Sequence, residues 1–503
     1  MNTSNYRQIV FSMATSGVLL AGSFVFLHAS SQTAHADPGD LFVTPSGSGT
    51  ACTQAQPCAL QTALVQAAND DTVYAAEGTY TSTSEAVASI ANSISLLGGW
   101  DGSPAGSVVR EADVYPSVLD GEGARRVVYI SGPITPTLDG LIIKNGNAAG
   151  LGGYSNYDAG GGVYINEAKA FISHCTIINN SAGPASSAGN GLGGGIAVIL
   201  SDAELESNLI ISNTANWGGG VRVIYNSPVL RHNQFLSNTS LFGGGMYLMG
   251  SRALVEGNLF QGNTGERGGG IYLSSAEATI AGNVIRDNQG SFGGGIGINA
   301  GFSSVISGNL ILNNVVNMEG GGLSISNNDT SVLNNVIADN EAPRSAGVYI
   351  KLAYPIFIHN TIARNSGGDG VGISVGQDAG IALTNNIIVS HTVGISVTTG
   401  STATLEATLW GSGPWANLSD WVGDGAVTTG AVNVWGDPYF LDPASGDYHI
   451  RPGSAAINAG VDAAVAVDID GDTRPLGSGY DIGADEVWQQ LQLFVPLVVN
   501  NTP

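Results

Sequence analysis

The sequence predicts an all-β fold, a right-handed single-stranded parallel β-helix with about 25 residues per coil and a short capping helix near its N-terminus. Two motifs that repeat in phase and one alternating pattern support this prediction. The first motif is a glycine triplet, repeated mostly at steps of 25 residues, at positions 160–162, 193–195, 218–220, 243–245, 268–270, 293–295 and 320–322.

The second motif is Asn-x-[Ile/Phe]-x-x-Asn, which keeps the same period as the triplet. Its leading residues are Asn208, Asn233, Asn258, Asn283, Asn309, Asn335 and Asn360. Residues immediately before these asparagines include Gly257, His232 and His359, types that tolerate a positive φ, so we expect tight turns there. The histidines are therefore interpreted as turn residues rather than metal ligands.

The alternating pattern identifies strands. A short run follows each triplet, such as Val221-Arg222-Val223 or Ile271-Tyr272-Leu273, and its period of two is typical of strands. Recurrent Gly and Asn exclude long helices. In this register the middle residues of the Asn motif point inward as one core column, formed by Ile210, Phe235, Phe260, Ile285, Ile311, Ile337 and Ile362.

The first 36 residues have the pattern of a signal peptide, which predicts an exported, extracellular or cell-surface protein. Arg7 precedes an apolar run at 9–27, and Ala34-His35-Ala36 forms a cleavage site after Ala36. The competing interpretation is a membrane-anchor helix, but Ser, Thr and Gly interrupt the run. Beyond it no stretch of 18 apolar residues occurs, so we expect no transmembrane span after cleavage.

Cysteine usage agrees with export. Cys52 and Cys58 are close in sequence, and an oxidising compartment would let them form a disulfide. Cys175 lies in an apolar run and is expected to be a buried, reduced side chain rather than a nucleophile. Residues 59–68, ALQTALVQAA, predict an amphipathic helix that caps the N-terminal end of the solenoid.

The repeat GGGIYLSSAEATIAGNVIRDN resembles the repeats of polymorphic outer-membrane proteins, part of the pectin-lyase-like β-helix superfamily. The resemblance covers about residues 90–400. It implies the fold, but that superfamily includes lyases, hydrolases and adhesins, so it does not imply one function.

The C-terminal segments 436–460 and 468–486 resemble the choice-of-anchor Q region of bacterial β-helix surface proteins. The predicted organisation is a signal peptide at 1–36, an N-terminal cap at 37–90, the β-helix at 91–405, a C-terminal cap at 406–490 and a short apolar tail at 491–503. Four tryptophans, Trp410, Trp415, Trp421 and Trp435, are expected to cover the open end of the core rather than to bind sugar.

Composition narrows the set of partners. The chain has 16 Lys and Arg against 40 Asp and Glu, which excludes nucleic acid as a partner. Cations, neutral glycans and proteins remain. A monomer is expected.

The candidate ligand site is a ladder on the outward side of the strands that follow the triplets. Arg222, Tyr247 and Tyr272 come from consecutive coils and are expected to point to solvent. Trp217, Phe242 and Arg267, which precede triplets, would edge them. Arginine and aromatic side chains stack on sugar rings or on protein partners, although they can also simply stack on each other.

The sequence therefore predicts a secreted or cell-surface protein that binds a polysaccharide or surface protein through this ladder without cleaving it. The alternative function is a polysaccharide lyase or glycoside hydrolase. No pair of aspartates recurs on neighbouring outward positions, so the first function is favoured and no catalytic residue is assigned.

A Ca²⁺ site is the one candidate for a bound ion, and no other cofactor is predicted. Asp468, Asp470 and Asp472 alternate in DIDGD, but glycine spacing differs from that of an EF-hand. A looser site with help from Asp481 or Asp485 remains an alternative to a role as turn residues.

Overall fold

The computed structural model describes residues 32–34, 39–184 and 189–488. The chain is a parallel β solenoid of about 14 turns, each of about 25 residues. The predicted signal peptide, apart from 32–34, and the predicted tail at 491–503 lie outside the described residues.

Each coil contributes one short strand to each of three parallel sheets. The first sheet contains Asp40–Val43, Thr72–Ala76, Ser95–Trp100, Thr137–Asp139, Phe171–Ser173, Glu204–Glu206, Val229–Arg231, Leu254–Glu256, Thr279–Ala281, Val305–Ser307, Ser331–Leu333, Ile356–Ile358, Gly380–Thr384, Thr402–Glu406 and Ala426–Thr429. Strands Gln32–Ala34 and Val108–Arg110 join this sheet in antiparallel orientation.

The second sheet contains the strands of the Asn motif. Its members are Gly78–Tyr80, Ser117–Asp120, Leu141–Lys144, Thr176–Ile178, Leu209–Ile211, Gln234–Leu236, Leu259–Gln261, Val284–Arg286, Leu310–Leu312, Val336–Ala338, Thr361–Ala363, Ile387–Val389, Thr408–Gly411 and Asn433–Gly436.

The third sheet contains the strands that follow the glycine triplets. Its members are Ala86–Ile90, Arg126–Ser131, Val163–Asn166, Ile196–Ile199, Val221–Ile224, Met246–Met249, Ile271–Ser274, Ile296–Asn299, Leu323–Ser326, Val348–Lys351, Val371–Gly376, Val393–Val397 and Ser419–Val422. Strands of all three sheets thus continue on both sides of the expected boundaries at 91 and 405.

The predicted inward register is confirmed. The seven residues of the core column are fully buried, and each pairs with its counterpart on the next coil. The rings of Phe235 and Phe260 stack with their centroids 4.4 Å apart. This column is one of the inward columns of apolar side chains that form the core of the solenoid.

Two ladders of buried asparagines flank this column at the turns. In each, the side-chain oxygen accepts hydrogen bonds from the backbone and side-chain nitrogens of the asparagine one coil earlier, as Asn258 does from Asn233. His232, Gly257 and Asn334, which precede ladder residues, have φ between 52° and 64°, as predicted. The asparagines thus satisfy backbone groups that the turns leave inside the molecule.

His391 replaces an asparagine in the second ladder, and this predicts a pH effect. Its Nε2 lies 3.3 Å from Asn365 Nδ2, whereas its Nδ1 is buried without a hydrogen-bond partner among the described residues. Burial lowers the pKa of His391 to about 4. The unfolded chain takes up a proton below about pH 6.5 and the folded chain does not, so folding stability falls as pH decreases towards 4.

We expect His391→Asn to gain about 2 kcal/mol of stability relative to the wild type on going from pH 7 to pH 5. Urea unfolding at both pH values measures this difference. His232→Asn, which replaces a histidine at an exposed turn, is the matched control for the substitution itself. A gain for His391→Asn that is equal at the two pH values would show that its titration does not affect stability.

The N-terminal end agrees with the expectations from the cysteines. Cys52 and Cys58 form a disulfide, and Cys175 is free and buried. A helix spans Leu60–Gln66, shorter than the ten residues predicted, because the backbone is already extended at Ala67. It buries Leu60 and Ala63 against the first strands of the solenoid. Of the helices in the described part of the chain, none is long and apolar enough to cross a bilayer.

The C-terminal end differs in part from the expected cap. Trp421 and Trp435 continue inward columns on the last coil, where they lie over the end of the core with 39% and 57% of their surface exposed. Trp410 is inside the core. Trp415, however, lies outside it and contacts Phe440 at 5.0 Å between ring centroids.

Residues 437–488 do not cover the end of the solenoid but pack on the outer face of the second sheet. Phe440, Tyr448 and Ile482 are buried against that face, in a cluster that includes Val336 and Ile387. The 3-10 turn Pro443–Ser445 and the antiparallel pair Phe440–Asp442 and Asp447–Ile450 belong to this region, whereas the 3-10 turn Gly413–Trp415 lies between two of the last strands of the solenoid. The outward side chains of these coils are short or apolar, and they provide the surface on which the segment packs.

Candidate functional site

The outward column of the third sheet is the surface on which the sequence placed a ligand site. Strand pairing puts its members in register, one per coil: Ser89, Tyr129, Tyr164, Ala197, Arg222, Tyr247, Tyr272, Gly297, Ser324, Tyr349 and Ser374. The predicted alignment of Arg222, Tyr247 and Tyr272 is therefore confirmed.

The expected exposure of these three side chains is wrong. Arg222, Tyr247 and Tyr272 are only 3%, 8% and 5% exposed. The Arg222 guanidinium lies 3.6 Å from the centroid of the Tyr247 ring, and the rings of Tyr247 and Tyr272 are 5.1 Å apart. Neighbouring coils are so close that each large side chain covers the next.

The residues before the triplets pack over the outward column and help to bury it. They were expected to lie at the edge of an open groove. Phe242 is 6.2 Å from the Tyr247 ring and 5.6 Å from the Tyr272 ring, measured between centroids. The Arg267 guanidinium lies 5.9 Å from the Phe242 ring. Trp217 pairs with Phe242 through a backbone bridge, and its ring packs against Tyr157.

The first glycine of each triplet is the physical reason for this cover. Gly243 has a φ of 66°, and a Cβ there would lie 2.1 Å from the carbonyl oxygen of Met246. This tight turn folds the preceding segment back over the strand that follows. Thr239–Phe242, Thr264–Arg267, Gln289–Phe292 and Val315–Glu319 consequently form a small parallel sheet of their own beside the column.

Arg222 is buried as a cation against an aromatic ring. Its Nη2 lies 3.2 Å from Met249 Sδ, and its Nε and Nη1 have no hydrogen-bond partner among the described residues. Burial lowers the pKa of Arg222 to about 10. In this conformation the ladder does not offer its Arg222 guanidinium or its tyrosine faces to a ligand.

The same column is open around Tyr129, three coils before Arg222, at a cleft that was not predicted from the sequence. This Tyr129 cleft has a volume of about 570 Å³. Its lining consists of Ser84, Glu85, Ala86, Ser89, Arg126, Tyr129, Leu151, Gly153, Tyr164 and Asn166. Tyr129 is 36% exposed, and its ring centroid is 5.5 Å from that of Tyr164.

Arg126 lies beneath the cleft and connects its wall to its two tyrosine rings. It is buried, and its Nε and Nη2 donate hydrogen bonds to the carbonyl oxygens of Ala159 and Gly152 at 2.9 and 2.8 Å. Its guanidinium also lies 5.7 Å from the Tyr129 ring centroid and 5.1 Å from that of Tyr164. Burial lowers the pKa of Arg126 and raises that of Tyr164 to about 12, so both keep their usual charge states at neutral pH.

The loop between residues 146 and 159 forms one wall of the Tyr129 cleft. Asp158 stabilises this wall, since its two carboxylate oxygens accept hydrogen bonds from the backbone nitrogens of Gly150 and Gly152. The segment RVVYI at 126–130 alternates like the strands after the triplets, with Tyr129 outward. That alternation was the available signal, but no triplet precedes it.

The expected set of metal ligands in DIDGD does not assemble. Asp468 Oδ1 accepts hydrogen bonds from the backbone nitrogens of Asp470 and Asp472, and its Oδ2 accepts one from Glu486. Asp472 is exposed, while Asp470 faces His449. Asp468 therefore stabilises a turn, because both of its oxygens are used by the backbone.

Three comparisons relate the chain to known proteins. The family model described as "right handed beta helix region" matches residues 161–340. No curated protein matches the sequence. Among solved structures, the Dettilon tailspike protein is 15% identical, with a TM-score of 0.40 over 78% of this chain and 68% of that chain.

Two polysaccharide lyases are further structural matches. The PL6 family polysaccharide lyase from Pseudopedobacter saltans is 13% identical, with a TM-score of 0.40 over 82% of this chain and 96% of that chain. Pectate lyase Pel9A is 13% identical, with a TM-score of 0.26 over 89% of this chain and 96% of that chain. From its own coils and the matched family model, the chain is a right-handed parallel β-helix.

Proposed function

We propose that this protein is an exported β-helix that binds a neutral glycan in the Tyr129 cleft without cleaving it. The observation that supports this most directly is the Tyr129 ring, which is partly exposed at the cleft and held in place by Tyr164 and Arg126. The C–H faces of a sugar ring pack on such aromatic surfaces. The proposed site thus lies on the same outward column as the predicted one, but around Tyr129, where the column is open, and not at Arg222, where it is closed.

Polar groups around the ring suit sugar hydroxyls. Ser84, Ser89 and Asn166 provide hydroxyl and amide groups, and Glu85 provides an acceptor. The cavity volume of about 570 Å³ lies in the range of small-ligand sites, enough for a short stretch of a glycan. The lining is mainly polar, with the rings of Tyr129 and Tyr164 as its large apolar surfaces, which suits a hydroxyl-rich ligand.

Charge favours a neutral glycan over a polyanionic one. The chain has a formal net charge of −24, and the Arg126 guanidinium is occupied by two carbonyl oxygens. A uronic acid polymer would be repelled by this field and by Glu85. Among the described residues that line the cleft, Glu85 is the one carboxylate, whereas acid hydrolysis of glycosides ordinarily uses two.

Tyr129→Ala is expected to weaken retention on a neutral polysaccharide about fivefold to tenfold, since one aromatic contact contributes about 1 kcal/mol. Affinity electrophoresis on neutral glucans, mannans and xylans, with pectate and alginate for comparison, measures this. Tyr354→Ala removes a more exposed tyrosine from another part of the surface and should leave binding unchanged.

Two results would contradict this proposal. Unchanged retention of the Tyr129→Ala variant would place the site elsewhere, with Trp421 and Trp435 as the next candidates. Shortening of any polysaccharide by the wild type, followed as new reducing ends or unsaturated products, would support the alternative of a lyase or hydrolase. A triple change of Arg222, Tyr247 and Tyr272 to Ala is not a clean test, because it removes buried packing.

A further inference from the structure

The segment packed on the second sheet gathers carboxylates around one histidine. The strand Asp447–Ile450 carries Asp447 and His449, and the loop that follows brings Asp470 and Asp485 to the same place. Arg474, on the same loop, is fully buried and paired with Glu486 at 2.6 Å. Glu486 thus neutralises the charge of Arg474. The carboxylates around His449 carry more negative charge than one protonated imidazole could balance.

The geometry around His449 is that of a ligand held in a fixed orientation. Its Nδ1 lies 2.6 Å from Asp447 Oδ1, and its Nε2 lies 2.9 Å from Asp470 Oδ2. One ligand atom each from His449, Asp470 and Asp485 lies within 4.8 Å of the others. A carboxylate on Nδ1 that directs Nε2 towards a metal is a recurrent arrangement in metalloproteins.

Asp485 provides an independent reason to expect a cation. It is only 7% exposed, and its Oδ2 accepts a hydrogen bond from the backbone nitrogen of Ile450 at 2.8 Å. Its other oxygen accepts no hydrogen bond from any described residue. A buried carboxylate is costly unless its oxygens have hydrogen-bond donors or a cation beside them.

We propose that His449, Asp470 and Asp485 bind a Zn²⁺ ion, with Asp447 orienting His449 from behind. One imidazole nitrogen and two carboxylate oxygens suit zinc, which keeps a fourth position for water when three protein groups bind it. Calcium, in contrast, prefers oxygen ligands only. The site shares Asp470 and Asp485 with the residues weighed for Ca²⁺ but replaces the all-carboxylate set with one built on His449.

The ion would join two segments that are separate in sequence and already in contact in the fold. His449 belongs to the antiparallel pair, whereas Asp470 and Asp485 belong to the loop that covers the second sheet. A metal ion on Nε2 would take the place of the direct hydrogen bond between His449 and Asp470. An ion that binds only the folded chain stabilises it.

The test uses the purified chain, stripped with a chelator and incubated separately with ZnCl₂, MnCl₂ and CaCl₂. After dialysis, elemental analysis should find about one zinc per chain, and calorimetry should give a stoichiometry near one. Zinc should also raise the melting temperature of the wild type, whereas calcium should not.

Asp485→Asn and His449→Gln are expected to lower zinc affinity at least tenfold and to remove the shift in melting temperature. Asp472→Asn is the matched control, an exposed aspartate of the same segment that lies outside the site. Melting of each metal-free variant checks that it folds. Zinc retention by Asp485→Asn equal to that of the wild type, no zinc bound by the wild type, or a preference for calcium would each overturn the proposal.

Discussion

Replacing Phe260 with aspartate is expected to lower the free energy of unfolding by about 5 kcal/mol. Loss of a buried phenylalanine ordinarily costs about 3–5 kcal/mol, and an unpaired buried carboxylate adds to that cost. Phe260 is fully buried and stacks on Phe235 with an angle of 5° between the ring planes. The new carboxylate would face the apolar centre of the solenoid, with neighbours above and below in the same column.

Urea unfolding and amide hydrogen exchange measure this effect. Because each coil contacts only its neighbours, exchange should increase first in the coils adjacent to residue 260 and then outward along the stack. Phe302→Asp is the matched control, since Phe302 is 65% exposed, and it should change stability by less than about 0.5 kcal/mol. An unchanged unfolding midpoint for Phe260→Asp would mean that the inward register is wrong.

Asn263→Leu is expected to lower the free energy of unfolding by about 4 kcal/mol, although leucine fills a similar volume. Asn263 Oδ1 accepts hydrogen bonds from the backbone and side-chain nitrogens of Asn238, and its Nδ2 donates to the carbonyl oxygen of Phe235. The substitution removes these three buried hydrogen bonds and the one that Nδ2 donates to Asn288 Oδ1, although Asn238 Nδ2 keeps its bond to the carbonyl oxygen of Ile210. A buried donor or acceptor that loses its partner costs about 1–3 kcal/mol.

The same substitution at an exposed asparagine separates the loss of buried hydrogen bonds from the general effect of replacing asparagine with leucine. Asn317→Leu, on an exposed strand position, should be nearly neutral in the same urea experiment. If Asn263→Leu is as stable as the wild type, the ladder stabilises the turns less than the hydrogen-bond pattern implies. Asn263→Ala should be at least as destabilising as Asn263→Leu, because a cavity is added to the lost hydrogen bonds.

Much of the fold could be predicted because the repeat is regular. A side chain in one coil contacts the equivalent position about 25 residues away, so the column of Phe235 and Phe260 could be identified from spacing alone. The positive φ at His232 and Gly257 followed from residue type. The disulfide between Cys52 and Cys58 followed from their closeness in sequence.

The candidate site was less predictable, because accessibility is not a periodic property. The alternation of residue types showed that Arg222 and Tyr247 lie on the outward side of the third sheet. An outward side chain can still be buried by its neighbours, as these two are. The turn at Gly243 folds Phe242 across the column, and this closes the surface that the sequence had identified as a binding face.

The sequence by itself determined the period, the inward and outward faces of the strands and the positions of the turns, since these depend on contacts at a constant offset along the chain. Tertiary structure alone decided which part of the outward column is open, at Tyr129, and which is closed, at Arg222. It also decided that His449 and Asp485 lie together. Both outcomes depend on where non-repeating segments cross the solenoid, and no constant offset relates those segments to the residues that they contact.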